Sequence, residues 1–225
     1  MTRPTTRPAR LVAVVGTGTE VGKTWVSARV LRTLRAEGVA VAARKPAQSY
    51  EPHDPPDGRD AAVLGMASGE TPETVCSPHR WYDVALAPPM AAEALDRAPF
   101  VLADLLRELT WPGDVTVGVV ETAGGLRSPI AQDADCLDLC RALEPDVVIL
   151  VADAGLGTIS AVRLAVDALG ATGTPGGNRV VVVLNRYDVS VEVHRRNRAW
   201  LADRDGLRVV VTPGGEADLA ALVRG

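Results

Sequence analysis

The sequence predicts an α/β protein, a three-layer αβα sandwich around a mostly parallel central sheet. Short Val-rich apolar runs alternate with longer amphipathic stretches, the pattern of strand–helix–strand units. The runs are continuously apolar, as suits strands covered on both faces. Most end on a glycine or a polar residue, and ligands bind beyond the carboxyl ends of strands in such sheets. The 225 residues fit one domain, residues 11–225, behind a short disordered tail, residues 1–10.

Residues 11–15 form the first strand. A glycine-rich turn follows, then a helix over residues 23–37 that Gly38 ends. Residues 39–44 form the second strand. Residues 46–59 are rich in Pro and Asp and form a loop. A short helix covers 60–68, residues 70–90 are irregular, and helical patterns lie near 90–96 and 99–109. The third strand, 115–120, ends at Glu121. A helix over 133–143 leads to a strand over 146–152 that ends at Asp153. A helix over 157–169 leads to a strand over 179–184 that ends at Asn185. Residues 191–203 are helical, 207–211 a strand, and 217–223 a last helix. The topology brings residues 16–24, Lys45, Glu121, Asp153 and Asn185 to one crevice.

Composition excludes several classes. A formal net charge of −4 gives no basic footprint for nucleic acid. The arginines of the first ten residues precede no apolar stretch of signal-peptide length, so this reads as no signal peptide, and no apolar run reaches bilayer length. A cytoplasmic protein is expected. The three cysteines, Cys76, Cys136 and Cys140, form no CxxC and read as core thiols in a reducing compartment. His53, His79 and His194 have no ligand spacing and read as surface residues. Lysine is the sharper signal. Of 24 basic residues only Lys23 and Lys45 are lysines, and a compact ammonium is what a tight phosphate site uses.

The first strand runs into Gly16-Thr17-Gly18-Thr19-Glu20-Val21-Gly22-Lys23-Thr24. Strand, glycine loop, Gly-Lys-Thr and helix are the context of a P-loop, which makes the expected fold P-loop NTPase-like. Backbone N–H groups of residues 18–22 would converge on phosphate oxygens, aided by the helix N-terminus. Lys23 would reach the β- and γ-phosphates and the Thr24 hydroxyl would bind Mg²⁺. Five residues separate Gly16 from Gly22, one more than the general pattern. A ParA- or MinD-like ATPase would carry a second lysine at Gly18. A GTPase would carry a DxxG switch and NKxD; Asp153-Ala154-Gly155-Leu156 lacks the switch glycine, and Asn185-Arg186-Tyr187-Asp188 has arginine for lysine.

Residues 16–24 closely resemble the phosphate loop of dethiobiotin synthetases, the additional residue included. In chain order, Lys45-Pro46, Asp60-Ala61 with Leu64, Glu121-Thr122-Ala123-Gly124-Gly125, Leu156-Gly157-Thr158-Ile159 and Asn185 resemble further motifs of that family. The resemblance implies an ATP-dependent ligase that joins CO₂ to 7,8-diaminopelargonic acid and closes a ureido ring. It implies Lys23, Lys45 and Thr19 at the reacting phosphate, and Thr24, Asp60 and Glu121 on Mg²⁺. ATP would meet Gly18, Thr19, Glu20, Val21, Gly22, Lys23 and Thr24, with Asn185 and Pro213 near the base. Ser49, Thr122, Gly124, Gly157 and Ser160 would meet the diamine, and the enzyme would be a homodimer with each pocket partly walled by its partner.

Bland alternatives stay open for single residues. Lys45 at a strand end also suits a surface lysine, Asp60 a helix cap with Asp57 on the metal instead, Glu121 a solvated acid, and Asn185 a turn residue. Departures from the family cluster on the acceptor side. Tyr50 stands where the family usually has glycine, 87–90 read Ala-Pro-Pro-Met, Thr122 replaces a glycine, Ser160 replaces an asparagine, and Val211-Thr212-Pro213 lacks a preceding glycine. A related ligase for a different amine, or a regulatory P-loop ATPase, are the competing readings.

Overall fold

The computed structural model of the protein describes residues 7–170 and 180–225. The central sheet has six strands: β1 (Arg10–Gly16), β2 (Val41–Arg44), β5 (Val117–Glu121), β8 (Val147–Asp153), β9 (Val180–Asn185) and β10 (Val209–Val211). Two small pairs stand apart, parallel β3 (Gln48–Ser49) with β4 (Trp81–Tyr82) and antiparallel β6 (Pro129–Ala131) with β7 (Ala134–Asp135). The helices are α1 (Lys23–Ala36), α2 (Asp60–Ser68), α3 (Pro72–Val75), α4 (Pro88–Ala94), α5 (Leu102–Glu108), α6 (Cys136–Leu143), α7 (Thr158–Gly170), α8 (Glu192–Ala199) and α9 (Glu216–Arg224).

The sheet order is β10-β9-β8-β1-β5-β2, and every neighbouring pair is parallel. From β1 the chain moves outward to β2, returns through β5, then crosses to β8 on the other side. The carboxyl end of β1 is therefore the switch point, where a crevice opens. Alternation along β1 divides the core. Val12 and Val14 face a layer built with α1, α2 and α9, while Ala13 and Val15 face one built with α6 and α7. Helices on both faces make the three layers, and they explain why the strands read as unbroken Val-rich runs. A third apolar cluster joins Tyr82, Phe100, Leu105 and Ile130 beside this sandwich.

Several boundaries differ from expectation. The first strand starts at Arg10, and Arg7 of the expected tail reaches the Glu144 carbonyl and Asp146. The strands expected from residues 39, 115 and 207 begin at Val41, Val117 and Val209, two residues later in each case. Arg179, expected to open a strand, lies outside the described residues. The loop and irregular regions contain β3, β4 and α3, too short for periodicity to register. Asp135 caps α6 by accepting from the Leu137 and Asp138 N–H groups, which moves that helix start three residues past 133. The helix expected over 191–203 holds as α8 to Ala199 and ends in a π-type turn, Trp200–Arg204.

All three cysteines are buried and unpaired, and burial pushes Cys76, Cys136 and Cys140 up to about 12, 11 and 12. They are core thiols. Leu31 of α1 is fully buried between α1 and the sheet. Leu31→Ala should cost about 2–5 kcal/mol. Urea unfolding of the two proteins checks this, and a cost under about 1 kcal/mol would mean the α1 layer collapses to fill the space.

Candidate active site

The loop after β1 is shaped by backbone conformation. Glu20 and Gly22 are left-handed, at φ 59° and 93°. Gly22 precedes α1 and makes no side-chain cap, so the first-turn N–H groups stay available for phosphate oxygens. A Cβ on Gly22 would stand 2.0 Å from the Asn185 amide nitrogen. That side chain crosses from β9 to brace the loop: Asn185 Nδ2 donates to the Val21 carbonyl at 3.0 Å, and its Oδ1 accepts from Thr212 Oγ1 at 3.1 Å. Arg186 bonds the Glu20 carbonyl and pairs with Asp153 at 3.1 Å. The loop is thus tied to β8, β9 and the end of β10.

Below the loop lies a buried charge cluster. Lys45 follows β2 and is 3% exposed. Its ammonium meets Asp60 Oδ2 at 2.6 Å, Glu121 Oε1 at 2.9 Å and the Thr122 carbonyl at 3.0 Å, which uses all three donors. Thr24 Oγ1 stands 2.6 Å from Asp60 Oδ1 and 2.8 Å from Glu121 Oε1, and its single proton is shared between the two carboxylates. Ser27, one turn along α1, donates to Glu121 Oε2 at 2.7 Å. Burial opposes charge on Lys45, yet Asp60 and Glu121 hold its pKa above the ordinary lysine value. Burial likewise opposes the Asp60 carboxylate, but Lys45 and the Thr24 hydroxyl hold its pKa below the usual aspartate value. Lys23 behaves oppositely. Burial, then the neighbouring Lys45 charge, lowers its pKa, and its ammonium donates to the Gly18 carbonyl at 3.3 Å. An anion between the two lysines would relieve both effects.

A cleft of about 770 Å³ opens over this cluster. Thr19, Glu20, Gly22, Lys23, Thr24, Lys45 and Asp60 line its phosphate side, and Ser49, Tyr50 and Gly124 line it further out. Gly124 is left-handed at φ 70°, and a Cβ there would stand 2.6 Å from Ser128 Oγ. Ser49 Oγ is buried without a hydrogen-bond partner among the described residues, and Tyr50 does face the cleft. Two expected roles meet a different geometry. Thr122 is fully buried and its hydroxyl turns to the Val14 carbonyl at 3.3 Å, so only its backbone oxygen approaches the cleft, through Lys45. Gly157 and Ser160 line a separate groove beside Ile159, Arg163 and Leu164. Asp153 turns to Arg186 and the Gly155 N–H rather than to the cleft. Asp57 is exposed on a turn, Pro56–Gly58, while Asp60 begins α2 without capping it and points into the cluster. Pro213 follows the Thr212 that holds Asn185. Ser27 and Thr212 carry no sequence motif, being a serine inside an amphipathic helix and a threonine ending a strand, yet they hold Glu121 and Asn185.

The donor set Thr24, Asp60 and Glu121 consists of hard oxygens, one hydroxyl and two carboxylates. Magnesium suits it, because that ion takes one or two carboxylates and completes its shell with phosphate oxygens and water. Among the described residues no three His, Cys, Asp or Glu side chains gather to hold a metal without such help.

A family described as "AAA domain" matches residues 10–212. The ATP-dependent dethiobiotin synthetase BioD of Caulobacter vibrioides (strain NA1000 / CB15N) is 42% identical over 165 residues, 71% of this chain and 74% of that protein. The chain belongs to the dethiobiotin synthetase family. The family's BioD from Haloferax mediterranei is 34% identical over 89% of this chain and 82% of its own. That from Xanthomonas euvesicatoria pv. vesicatoria is 33% identical over 94% and 95%. Solved structures share the fold alone. Chloroplast FtsY from Physcomitrella patens gives a TM-score of 0.56 at 17% identity, covering 98% of this chain and 66% of that one. A duf1611 family protein from Anabaena variabilis gives 0.55 at 18%, covering 97% and 58%.

Two outcomes follow from the geometry. Gly22→Ala meets both the left-handed backbone and the Asn185 amide, so ATP affinity should fall at least about tenfold, measured by calorimetric titration. Unchanged affinity would mean that the brace is dispensable. Because the Asp60 pKa is depressed, its contribution to stability is complete above the unfolded value of about 3.9 and is lost as pH falls through the lower folded value. Asp60→Asn should therefore flatten the acid limb of stability, read from urea melts between about pH 5 and about pH 2. An acid limb as steep as the parent's would assign it to other carboxylates.

Proposed function

We propose that the chain is an ATP-dependent dethiobiotin synthetase of biotin biosynthesis. It closes the ureido ring of dethiobiotin from 7,8-diaminopelargonic acid and CO₂ and releases ADP and phosphate. The observation that carries this reading is the meeting of Lys23, Thr24, Lys45, Asp60 and Glu121 under one phosphate loop, in a chain of that family.

The reaction needs no nucleophilic side chain. A carbamate oxygen of the acceptor attacks the γ-phosphorus and the bond to ADP breaks. The second amine then attacks the carbamate carbon, phosphate departs with the oxygen, and the amine releases its proton. Both reactants of the first step are anions, so their approach requires fixed positive charge. Lys23, at the loop mouth, holds the γ-phosphate. Lys45, fixed by three hydrogen bonds before any substrate arrives, presents a permanent charge beside it. Thr19 lines the cleft where the loop faces the transferring group. Thr24, Asp60 and Glu121 would hold Mg²⁺, which supplies further positive charge on the phosphate oxygens. Ser49, with a hydroxyl that has no partner, and Gly124, which lets backbone come close, are assigned to the acceptor. Asn185 and Pro213 are assigned to the edge nearest the base.

A homodimer is part of this reading. It is supported by the separate groove of Gly157 and Ser160, flanked by Leu156 and Leu164, which are 92% and 68% exposed. A second copy covering that face would bring Ser160 to its partner's acceptor. Among the described residues no helix is long and apolar enough to cross a membrane. With three unpaired thiols, this supports the cytoplasm.

The test uses purified protein with ATP, Mg²⁺, bicarbonate and 7,8-diaminopelargonic acid, following dethiobiotin by mass spectrometry beside phosphate release. Lys23→Ala should lower turnover at least about 100-fold. ATP binding without dethiobiotin would overturn the assignment and point to another amine. Light scattering at twice the chain mass checks the pairing.

A further inference from the structure

Tyr50 is held from two directions. Its N–H donates to the Tyr82 carbonyl at 3.0 Å, just past the β3–β4 pair in which Ser49 faces Tyr82. Tyr82 is 1% exposed and stacks on Phe100, so this anchor is rooted in the third apolar cluster. From the other side, the Arg59 guanidinium carbon stands 4.0 Å from the centre of the Tyr50 ring. Arg59 Nε is buried with no hydrogen-bond partner among the described residues, and the guanidinium lies over the ring in a cation–π contact. The residue after Arg59 is Asp60, which bonds Lys45 and Thr24. The ring is thus coupled through one peptide unit to the charge cluster.

The cleft has two chemistries. Lys23, Lys45 and Thr24 make one end cationic and polar. Ala85, Leu86, Ala87 and Pro88 share the lining with Tyr50 and add apolar surface to it. Leu86 is 40% exposed there. An acceptor that reacts at the cationic end and carries an aliphatic chain would find apolar lining in the Tyr50 ring and the 85–88 segment, beside Trp25 and Ala123. Apolar area withdrawn from water on both sides is the force that would hold the chain.

We propose that Tyr50, steadied by Arg59, is a specificity-determining residue that packs against the acceptor's aliphatic chain and selects unbranched chains beside the reacting amines. This rests on the dethiobiotin synthetase reading for its substrate. The ring lines the same cleft as the phosphate-side residues, so bulky substituents on the carbons next to the amines would compete with it for space.

The experiment compares the parent protein with Tyr50→Gly, Tyr50→Phe and Arg59→Met in steady-state dethiobiotin synthesis. Tyr50→Gly should raise KM for 7,8-diaminopelargonic acid about tenfold or more, with KM for ATP unchanged. Tyr50→Phe, which keeps the ring, should recover most of the loss, and Arg59→Met should fall between. A rise in both KM values, or an unchanged KM for the diamine in Tyr50→Gly, would overturn the proposal. Calorimetric binding of 1,2-diaminoalkanes of increasing length and branching, with a non-hydrolysable ATP analogue present, reads the same wall without turnover. Weaker binding of long unbranched chains by Tyr50→Gly, together with new tolerance of branched ones, supports it; identical selectivity in both proteins sinks it. If the parent makes no dethiobiotin yet still shows ring-dependent selectivity, the activity assigned above fails and the wall stands. If Tyr50→Gly does not fold, Arg59→Met carries the comparison alone, and unchanged selectivity in that variant would overturn the role of the clamp.

Discussion

The buried ammonium of Lys45 is the constraint around which the site is organised. A charge withdrawn from water is costly unless its partners are fixed beside it. Here the cluster is drawn from four elements: Lys45 after β2, Asp60 on α2, Glu121 at the end of β5, and Thr24 and Ser27 on α1, the last two holding the carboxylates. Each must dock in register for the charge to be compensated. Breaking a buried pair of this kind typically costs about 3–5 kcal/mol. The cluster therefore resists rearrangement and keeps the carboxylates beside Thr24 at the end of the phosphate loop. Such pre-organisation is how electrostatic catalysis avoids reorienting dipoles during the reaction.

The loop itself is secured by a second, neutral device. Asn185 reaches across from β9 with its amide bonded at both ends, to Val21 and to Thr212. The approach is so close that only glycine fits at residue 22. Strand β8 lies between β9 and β1, so the brace spans the sheet's switch point and links the outer strands to the reacting end. The two lysines divide the labour. Lys45 is locked by carboxylates, whereas Lys23 donates to the Gly18 carbonyl and has a pKa lowered by burial and by the neighbouring Lys45 charge.

Much of this was legible in the sequence where the chemistry is contiguous. Residues 16–24 spell the loop in consecutive letters, and the strand ends at Lys45 and Glu121 follow from continuous apolar runs. Lysine's rarity singled out both cations. Elsewhere the information is not local. Asp60 and Asp57 stand three residues apart with the same charge, and only the fold of the irregular 46–59 segment decides which reaches Thr24. Side-chain direction at Thr122 depends on the pleat of β5 against β1. Asn185 reads from sequence as a base contact or a turn residue, and its bracing of Val21 needs the third dimension. The two-residue strands β3 and β4 lie below the length at which a period can be recognised. They nevertheless set the position of Tyr50.

The scarcity of lysine has one more consequence, for protein chemistry. All other basic side chains are arginines, and the two ammonium groups are 7% and 3% exposed. The surface therefore offers amine-directed reagents no lysine side chain. Acylation at lysine, whether by a chemical probe or by a metabolic acyl donor, has only the catalytic floor to act on. In this molecule lysine acylation is confined to the cleft, because both ammonium groups lie in its lining.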